Sequence, residues 1–403
     1  MIPRYSHPLV DEQYSPTQAY NDWLTIELAT LIAQVNQGAI PDSNVTQTLT
    51  QDVQGLRIDD PAASLIAEYE NQTHHDVGGF LAWLRDQVSG GQWLHFGLTS
   101  SDLVDTAQGL RFRRLHRPLL VELGNLTSAL TKYASNDLPV LGMTHGQPAE
   151  PTSIKARGWN WLAYAEGPIV QLSTLVRRMA VCKLSGPVGT YAHNPPTIEA
   201  EVAVHLDLIP QGPGASQIVP RSTLAMWAST VATLLSAYSK IATDLRLMSM
   251  RDEVYWPRGS DYVGSSAMAH KNNPIEAEQM VGFAQMARGF AAMLQPLDLW
   301  LERDISHSSV ERVAVPDLWH LLFTGTQRMV GMLEEATLRP LMAEQHLTDE
   351  SNTAWTHRVT LDAIRDGMGW QEARDFALGF DTESYDVMGD ARRFMDNYPA
   401  GQR

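Results

Sequence analysis

The segment from Ser222 to Met250 constrains the chain more than any other. Leu224, Trp227, Val231, Leu234, Tyr238, Ile241, Leu245 and Met248 follow one another at steps of 3, 4, 3, 4, 3, 4 and 3. That is a heptad seam, which only a helix presents on one side. A helix of this length spans roughly 45 Å at the standard rise per residue. Its apolar seam needs other long helices to lie against, so a helical bundle is expected, within the chain or continued between subunits.

Other segments supply such helices. Met280, Phe283, Ala287, Phe290 and Leu294 repeat the spacing, and residues 101–134 and 153–183 read as two more long helices. Gly167-Pro168 is expected to kink or break the second of these. Tyr20, Trp23, Leu24, Leu28, Leu31, Ile32 and Val35 mark one face of an amphipathic helix from Gln18 to Gln37. Residues 61–90 read as two shorter helices interrupted near Asn71–His75. No stretch alternates for long enough to argue a sheet, and Tyr191–Gln217, rich in Pro and Gly, reads mostly as loop. The expected fold class is all-α. Shifts between short and long helical patterns near Leu94 and Glu344 divide the chain into an N-terminal helical domain (1–94), a central long-helix bundle (95–344) and a short C-terminal helical domain (345–403).

Composition narrows the function classes. The 403 residues are 44% hydrophobic and 19% charged, enough for a large core and two or three domains. One cysteine, Cys182, excludes an internal disulfide framework and fits a reducing compartment. The start, Met1-Ile2-Pro3-Arg4-Tyr5, lacks the apolar core of a signal peptide, and no apolar run reaches membrane-spanning length. These features point to a soluble, cytoplasmic protein without a membrane partner. A net charge of −16 argues against a nucleic-acid surface, so an anionic small molecule would need a locally basic pocket. No Cys/His cluster has metal-ligand spacing, and neither metal nor organic cofactor is expected.

Four polar stretches, three of them glycine-bearing, carry the chemistry. Gly264-Ser-Ser-Ala-Met-Ala-His-Lys-Asn-Asn-Pro274 packs Ser265, Ser266, Lys271 and Asn273 into a loop that empties into a helix start, with Pro274 suited to the first helical position. His95-Phe-Gly-Leu-Thr-Ser-Ser-Asp102 holds Thr99 and Ser100; Ser101 or Asp102 can simply cap the helix that follows. Met143-Thr-His-Gly-Gln-Pro-Ala-Glu-Pro-Thr152 holds His145, which can equally be structural. Glu302-Arg-Asp-Ile-Ser-His-Ser-Ser-Val-Glu-Arg312 holds Arg303, Ser308 and Arg312, whose charges can form ordinary surface pairs. Together they fit one reaction: removal of a proton β to the leaving group, beside a carboxylate, followed by C–N or C–O cleavage. That requires a base, an acid and donors for the enolate-like dianion. Ser265 can be the base only if Lys271 and loop N–H groups stabilise its alkoxide. His145 suits the acid, His75 an anion contact, and Arg303 and Arg312 bidentate contacts to anionic ends.

The Gly264–Pro274 string resembles the Gly-Ser-Ser-x-Met-Pro-x-Lys-x-Asn-Pro signature of the fumarase/aspartase superfamily. The Arg4-Tyr5 start, His95–Asp102, Ser185-Gly-Pro-Val-Gly-Thr-Tyr-Ala192 and Leu301–Arg312 resemble the adenylosuccinate lyase family, in register from residue 2 to about 320 and more faintly beyond. The resemblance implies an all-α, three-domain fumarase/aspartase-type fold, a homotetramer with active sites shared between subunits, and cleavage of adenylosuccinate to AMP and fumarate. It implies the same cleavage of the succinylated carboxamide ribotide, in purine biosynthesis. Carried over residue by residue, it makes Ser265 the base, His145 the acid, His75 the second functional histidine and Lys271 a contact to the succinyl carboxylates. Arg4, Tyr5, His74, Asp76, Thr99, Ser100, Gln217, Ser266, Asn273, Arg303, Ser308 and Arg312 become substrate contacts. Four departures stand out: Ala269 for the loop proline, and His74, Met143 and Asn272 where the family commonly has arginine. The last three remove guanidinium groups from around an anionic substrate. Competing readings are a sibling lyase of the superfamily, a variant acting on a modified purine, and a non-catalytic nucleotide-binding homologue.

Overall fold

The computed structural model describes residues 1–257, 267, 268, 270–296, 299–380 and 387–395, and helix dominates them. In chain order the helices are α1 (Pro8–Gln13), α2 (Pro16–Asn36), α3 (Asn44–Gly55), α4 (Asp60–Thr73), α5 (Asp76–Gln87), α6 (Ser100–Ala134), α7 (Ile154–Arg178), α8 (Pro196–Leu206), α9 (Ser222–Met250), α10 (Ile275–Met293), α11 (Ser306–Glu335), α12 (Pro340–Asp349), α13 (Ser351–Arg365), α14 (Trp370–Leu378) and α15 (Val387–Phe394). The fold class is all-α. The heptad segment is one continuous helix, α9, and all eight seam residues are buried within the chain itself.

Three local readings change. Helix α7 runs through Pro168 without a break. Trp161, Ala165, Pro168, Leu172 and Val176 form a buried row along it, and that packing outweighs the roughly 3 kcal/mol a proline costs a helix interior. Part of the expected loop, residues 196–206, is helix α8. Pro196 opens it at the first turn, where a missing N–H costs nothing, and Ile198, Val202, Ala203 and Leu206 bury its inner face. Residues 139–153 form an antiparallel hairpin, β1 (Pro139–Thr144) with β2 (Gln147–Ser153), pairing Leu141 with Pro151 and Met143 with Pro148 across a bulge. Prolines hide such strands in a sequence, yet a two-stranded ribbon tolerates them because both strands are edges. Helix α10 begins at Ile275, one residue after Pro274.

Two compact units emerge, each discontinuous in sequence. The first comprises Met1–Glu122, Pro168–Thr233 and Gln285–Gly325; the second comprises Leu123–Gly167, Leu234–Ala284 and Thr326–Arg403. In the first, Phe112, Trp227 and Trp319 pack with ring centroids 5.1 Å apart pairwise, all fully buried. A second cluster there joins α2, α4, α5 and α8 through Ile26, Leu31, Ile66, Phe80, Leu84 and Val202. In the second unit the Trp161 indole donates to Asp244 at 2.7 Å and the Tyr133 hydroxyl donates to the Leu333 carbonyl at 3.0 Å. Leu141 on the hairpin packs with Leu347, Trp355 and Val359. No described helix is long and apolar enough to cross a membrane.

The crossing of α4 and α5 positions the first candidate site residues, and Gly79 permits it. A Cβ at that position would lie 2.5 Å from the Glu70 backbone nitrogen and 2.7 Å from its Cα. Those atoms belong to a helix and cannot swing aside. Gly79→Ala is therefore expected to lower unfolding free energy by about 1–3 kcal/mol, the usual cost of overpacking. Urea denaturation checks this, and an unchanged midpoint would contradict the close approach.

Candidate active site

Helix α4 ends at His74, which takes the left-handed conformation (φ 53°) and donates its N–H to the Glu70 carbonyl at 2.7 Å. The next residue, His75, is the N-cap of α5, its Nδ1 accepting the Gly78 N–H at 3.1 Å. A neutral imidazole that accepts at Nδ1 carries its proton at Nε2. That nitrogen lies 3.4 Å from the Ser100 hydroxyl at the start of α6. Asp76, first in α5, suits the positive end of the helix and accepts the Val77 N–H at 2.7 Å. Its other oxygen takes a hydrogen bond from Arg312 of α11. Burial works to raise the Asp76 carboxyl, but the Arg312 and Val77 hydrogen bonds hold it below the usual carboxylate range. Arg312 Nε also donates to Ser308 Oγ at 3.2 Å, and with 61% of the side chain exposed its remaining donors face solvent. His75, Asp76, Ser100, Ser308 and Arg312 thus meet in the first unit.

Buried ion pairs fix the ground beneath them. Asp102 takes the Thr99 N–H at 2.8 Å, so the helix start is capped from its third residue, as the sequence allowed. The other Asp102 oxygen accepts from Lys183 Nζ at 2.6 Å and from the Gly186 N–H at 3.3 Å, and both charged side chains are fully buried. Burial lifts the Asp102 carboxyl above its ordinary value despite the lysine. One turn along α6, Asp105 pairs with Arg221, which also grips Glu311. Burial opposes these charges too, yet Arg221 holds Asp105 down, and His307 and Arg221 hold Glu311 down. Gln217 accepts from Arg303 at 2.8 Å, and Arg303 Nε is buried without an acceptor among the described residues. Asp304 closes the turn into α11, its carboxyl held at about 2 by hydrogen bonds from Ser306 and the Trp300 N–H. Arg4 and Tyr5 form a short 3-10 turn, with the Tyr5 carbonyl accepting from Thr324 at 3.3 Å.

The remaining candidates lie in the second unit or outside the described residues. His145 and Gly146 form the two-residue loop between β1 and β2, with φ of 53° and 75°. Positive φ at both positions is what a type I′ hairpin turn requires. The His145 ring is exposed and has no hydrogen-bond partner among the described residues. Lys271 is exposed, its N–H donating to the Met268 carbonyl at 3.0 Å, and Asn273 accepts the Ile275 N–H at 2.9 Å just ahead of α10. Ser265, Ser266 and Ala269 lie outside the described residues. Among those described, no group of three or more His, Cys, Asp or Glu side chains is arranged to hold a metal ion.

Comparison with known proteins bears on what this arrangement serves. A family model described as "Lyase" matches residues 28–289. The adenylosuccinate lyase of Deinococcus radiodurans is 35% identical over 385 residues, covering 94% of this chain and 87% of that protein. The adenylosuccinate lyase of Thermotoga maritima is 32% identical over 381 residues, covering 93% and 86%. The chain belongs to the adenylosuccinate lyase family. It is a carbon–nitrogen lyase. Among solved structures, a fumarate lyase from Mesorhizobium sp. BNC1 superposes with a TM-score of 0.81 at 21% identity, covering 93% of this chain and 85% of that one. The β-carboxy-cis,cis-muconate cycloisomerase of Acinetobacter calcoaceticus sp. ADP1 gives 0.78 at 19%, covering 92% and 85%. These two establish the fumarase/aspartase-type fold alone.

Two of the positions where this adenylosuccinate lyase family member departs from the family pattern, Met143 and Asn272, are accommodated locally. Arg251 Nη1 reaches the Met143 sulfur at 2.9 Å while its Nε donates to the buried Glu253 at 2.8 Å, so one cation stands beside the hairpin that lost one. Asn272 donates to the Trp256 carbonyl at 2.8 Å. Sequence reasoning missed Lys183, Asp105 and Arg221, and passed over Glu311. A lone lysine inside Val181–Leu184 and an arginine opening α9, where helices prefer negative charge, were the available signals.

Lys183→Met is expected to cost about 3–5 kcal/mol, because it strands a buried carboxylate. Adding Asp102→Asn should recover most of that loss. Denaturant titration of both variants tests the pair, and a single variant as stable as wild type would refute it.

Proposed function

We propose that this chain cleaves adenylosuccinate to AMP and fumarate. One observation carries the reading beyond family membership: His75, Asp76, Ser100, Ser308 and Arg312, from three motifs, with Asp76 and Arg312 236 residues apart, meet with exposed guanidinium donors beside a histidine whose Nε2 carries a proton. A hydroxyl-lined surface with guanidinium and imidazole N–H donors suits a nucleotide phosphate inside a chain of net charge −16. Arg4, Tyr5, His74, Thr99, Gln217 and Arg303 complete the nucleotide contacts.

In the proposed reaction Ser265, as alkoxide, takes the proton from the carbon β to nitrogen. The electron pair moves into the neighbouring carboxylate, forming a dianion that Lys271, Asn273 and the N–H groups near Ser266 stabilise. The C–N bond then breaks, its electrons pass to the exocyclic purine nitrogen, and His145 protonates that nitrogen. Fumarate and AMP leave. The same elimination acts on the succinylated carboxamide ribotide, which places the enzyme in purine biosynthesis. No cofactor takes part. The three-domain division at Leu94 and Glu344, a homotetramer sharing active sites between subunits, and a cytoplasmic location belong to the same reading.

Fumarate release from adenylosuccinate, followed by absorbance, tests it. Wild type should turn over, and Ser265→Ala and His145→Ala should each lose about 100-fold or more in kcat, the range expected for an essential acid or base. A wild type that releases no fumarate, or variants that keep their rate, would overturn the assignment.

A further inference from the structure

Arg221 touches none of the proposed substrate contacts, yet the first unit's site is built around it. Its Nε and Nη2 donate to the two oxygens of Glu311 at 2.8 and 3.2 Å. Its Nη1 and Nη2 donate to the two oxygens of Asp105 at 3.0 and 2.8 Å, and Nη1 donates to the Val219 carbonyl at 2.8 Å. Only a planar fork can serve two carboxylates in this way; a lysine offers a point charge. The residue also works against its own helix. Its carbonyl accepts the Ala225 N–H at 2.9 Å, which puts it at the N-cap of α9, where Ser, Asp or Asn would serve better and a cation opposes the helix dipole. Nor does a buried ion network stabilise a fold more than well-packed apolar residues would. Stability of α9 therefore does not account for it.

Position does. Asp105 also accepts the Val219 N–H at 2.7 Å, so both backbone groups of Val219 are held, two residues from Gln217. Gln217 receives the Arg303 guanidinium at 2.8 Å. Glu311 directly precedes Arg312 on α11 and also pairs with His307 at 3.1 Å. We propose that Arg221 is a positioning residue for nucleotide binding, setting the loop that carries Gln217 against the turn into α11, with Arg303, and the helix start, with Ser308 and Arg312. This rests on the nucleotide reading above. Arg303 Nε, buried with no acceptor among the described residues, is the donor such a frame aims at an anion.

Arg221→Lys keeps a cation between the two carboxylates and loses the fork. It should melt cooperatively near wild type while AMP affinity by calorimetry and 1/KM both fall about ten- to a hundredfold, the scale of a small misplacement, with kcat little changed. A folded Arg221→Lys with wild-type Kd and KM would overturn the proposal. Should that variant fail to fold, Glu311→Gln, which leaves the Asp105 fork intact, must raise Kd and KM, and unchanged values there would overturn it equally. A wild type that neither binds AMP nor releases fumarate would count against the nucleotide reading. Wild-type binding alongside unaffected variants would count against Arg221 alone.

Discussion

Asp102 and Asp105 stand one turn apart at the start of α6, each buried and each matched to a cation from elsewhere in the chain. Uncompensated, either carboxylate would cost the fold several kcal/mol. Lys183 answers the first and ties in the Gly186 turn; Arg221 answers the second and ties in α11 and the 217–221 loop. Thr99 and Ser100, three and two residues before Asp102, are thereby fixed, and Ser100 faces His75. Charge satisfaction in the interior and arrangement of the exposed polar surface are consequences of the same pairs.

A division of labour follows within the first unit. Side chains that can meet a substrate, such as Arg312, His75 and Ser308, stay accessible and make few internal bonds. Those that hold them, Lys183, Arg221, Asp102 and Asp105, spend their donors and acceptors inside the protein. His75 belongs to both groups: one ring nitrogen caps α5 while the other is turned outward with its proton. A single residue therefore sets both the helix start and the tautomer presented to a ligand.

Much of this was legible in the sequence. Heptad and amphipathic spacing located α2, α6, α9 and α10, because burial of one face imposes that period. The gap between α4 and α5 was visible at Asn71–His75 because its polar residues break the pattern. Proline misled three times, at Pro168, Pro196 and Pro148/Pro151, where tertiary packing, a helix start and edge-strand pairing respectively absorbed it. Motif residues of the first unit could be named in advance because their stretches resemble those of a known family, and the structure brings His75, Asp76, Ser100, Ser308 and Arg312 together. Their supports could not, since Asp102–Lys183 and Asp105–Arg221 join residues 81 and 116 apart, and no local periodicity encodes such pairings.

We propose that the residues held by these buried pairs form the nucleotide site of this lyase. A crystal structure with AMP and fumarate bound tests it most directly. The nucleotide is expected within hydrogen-bonding distance of Ser100, Gln217, Arg303, Ser308 and Arg312, with Arg221 still gripping Asp105 and Glu311. AMP bound at a different surface, away from Arg303 and Arg312, would contradict it.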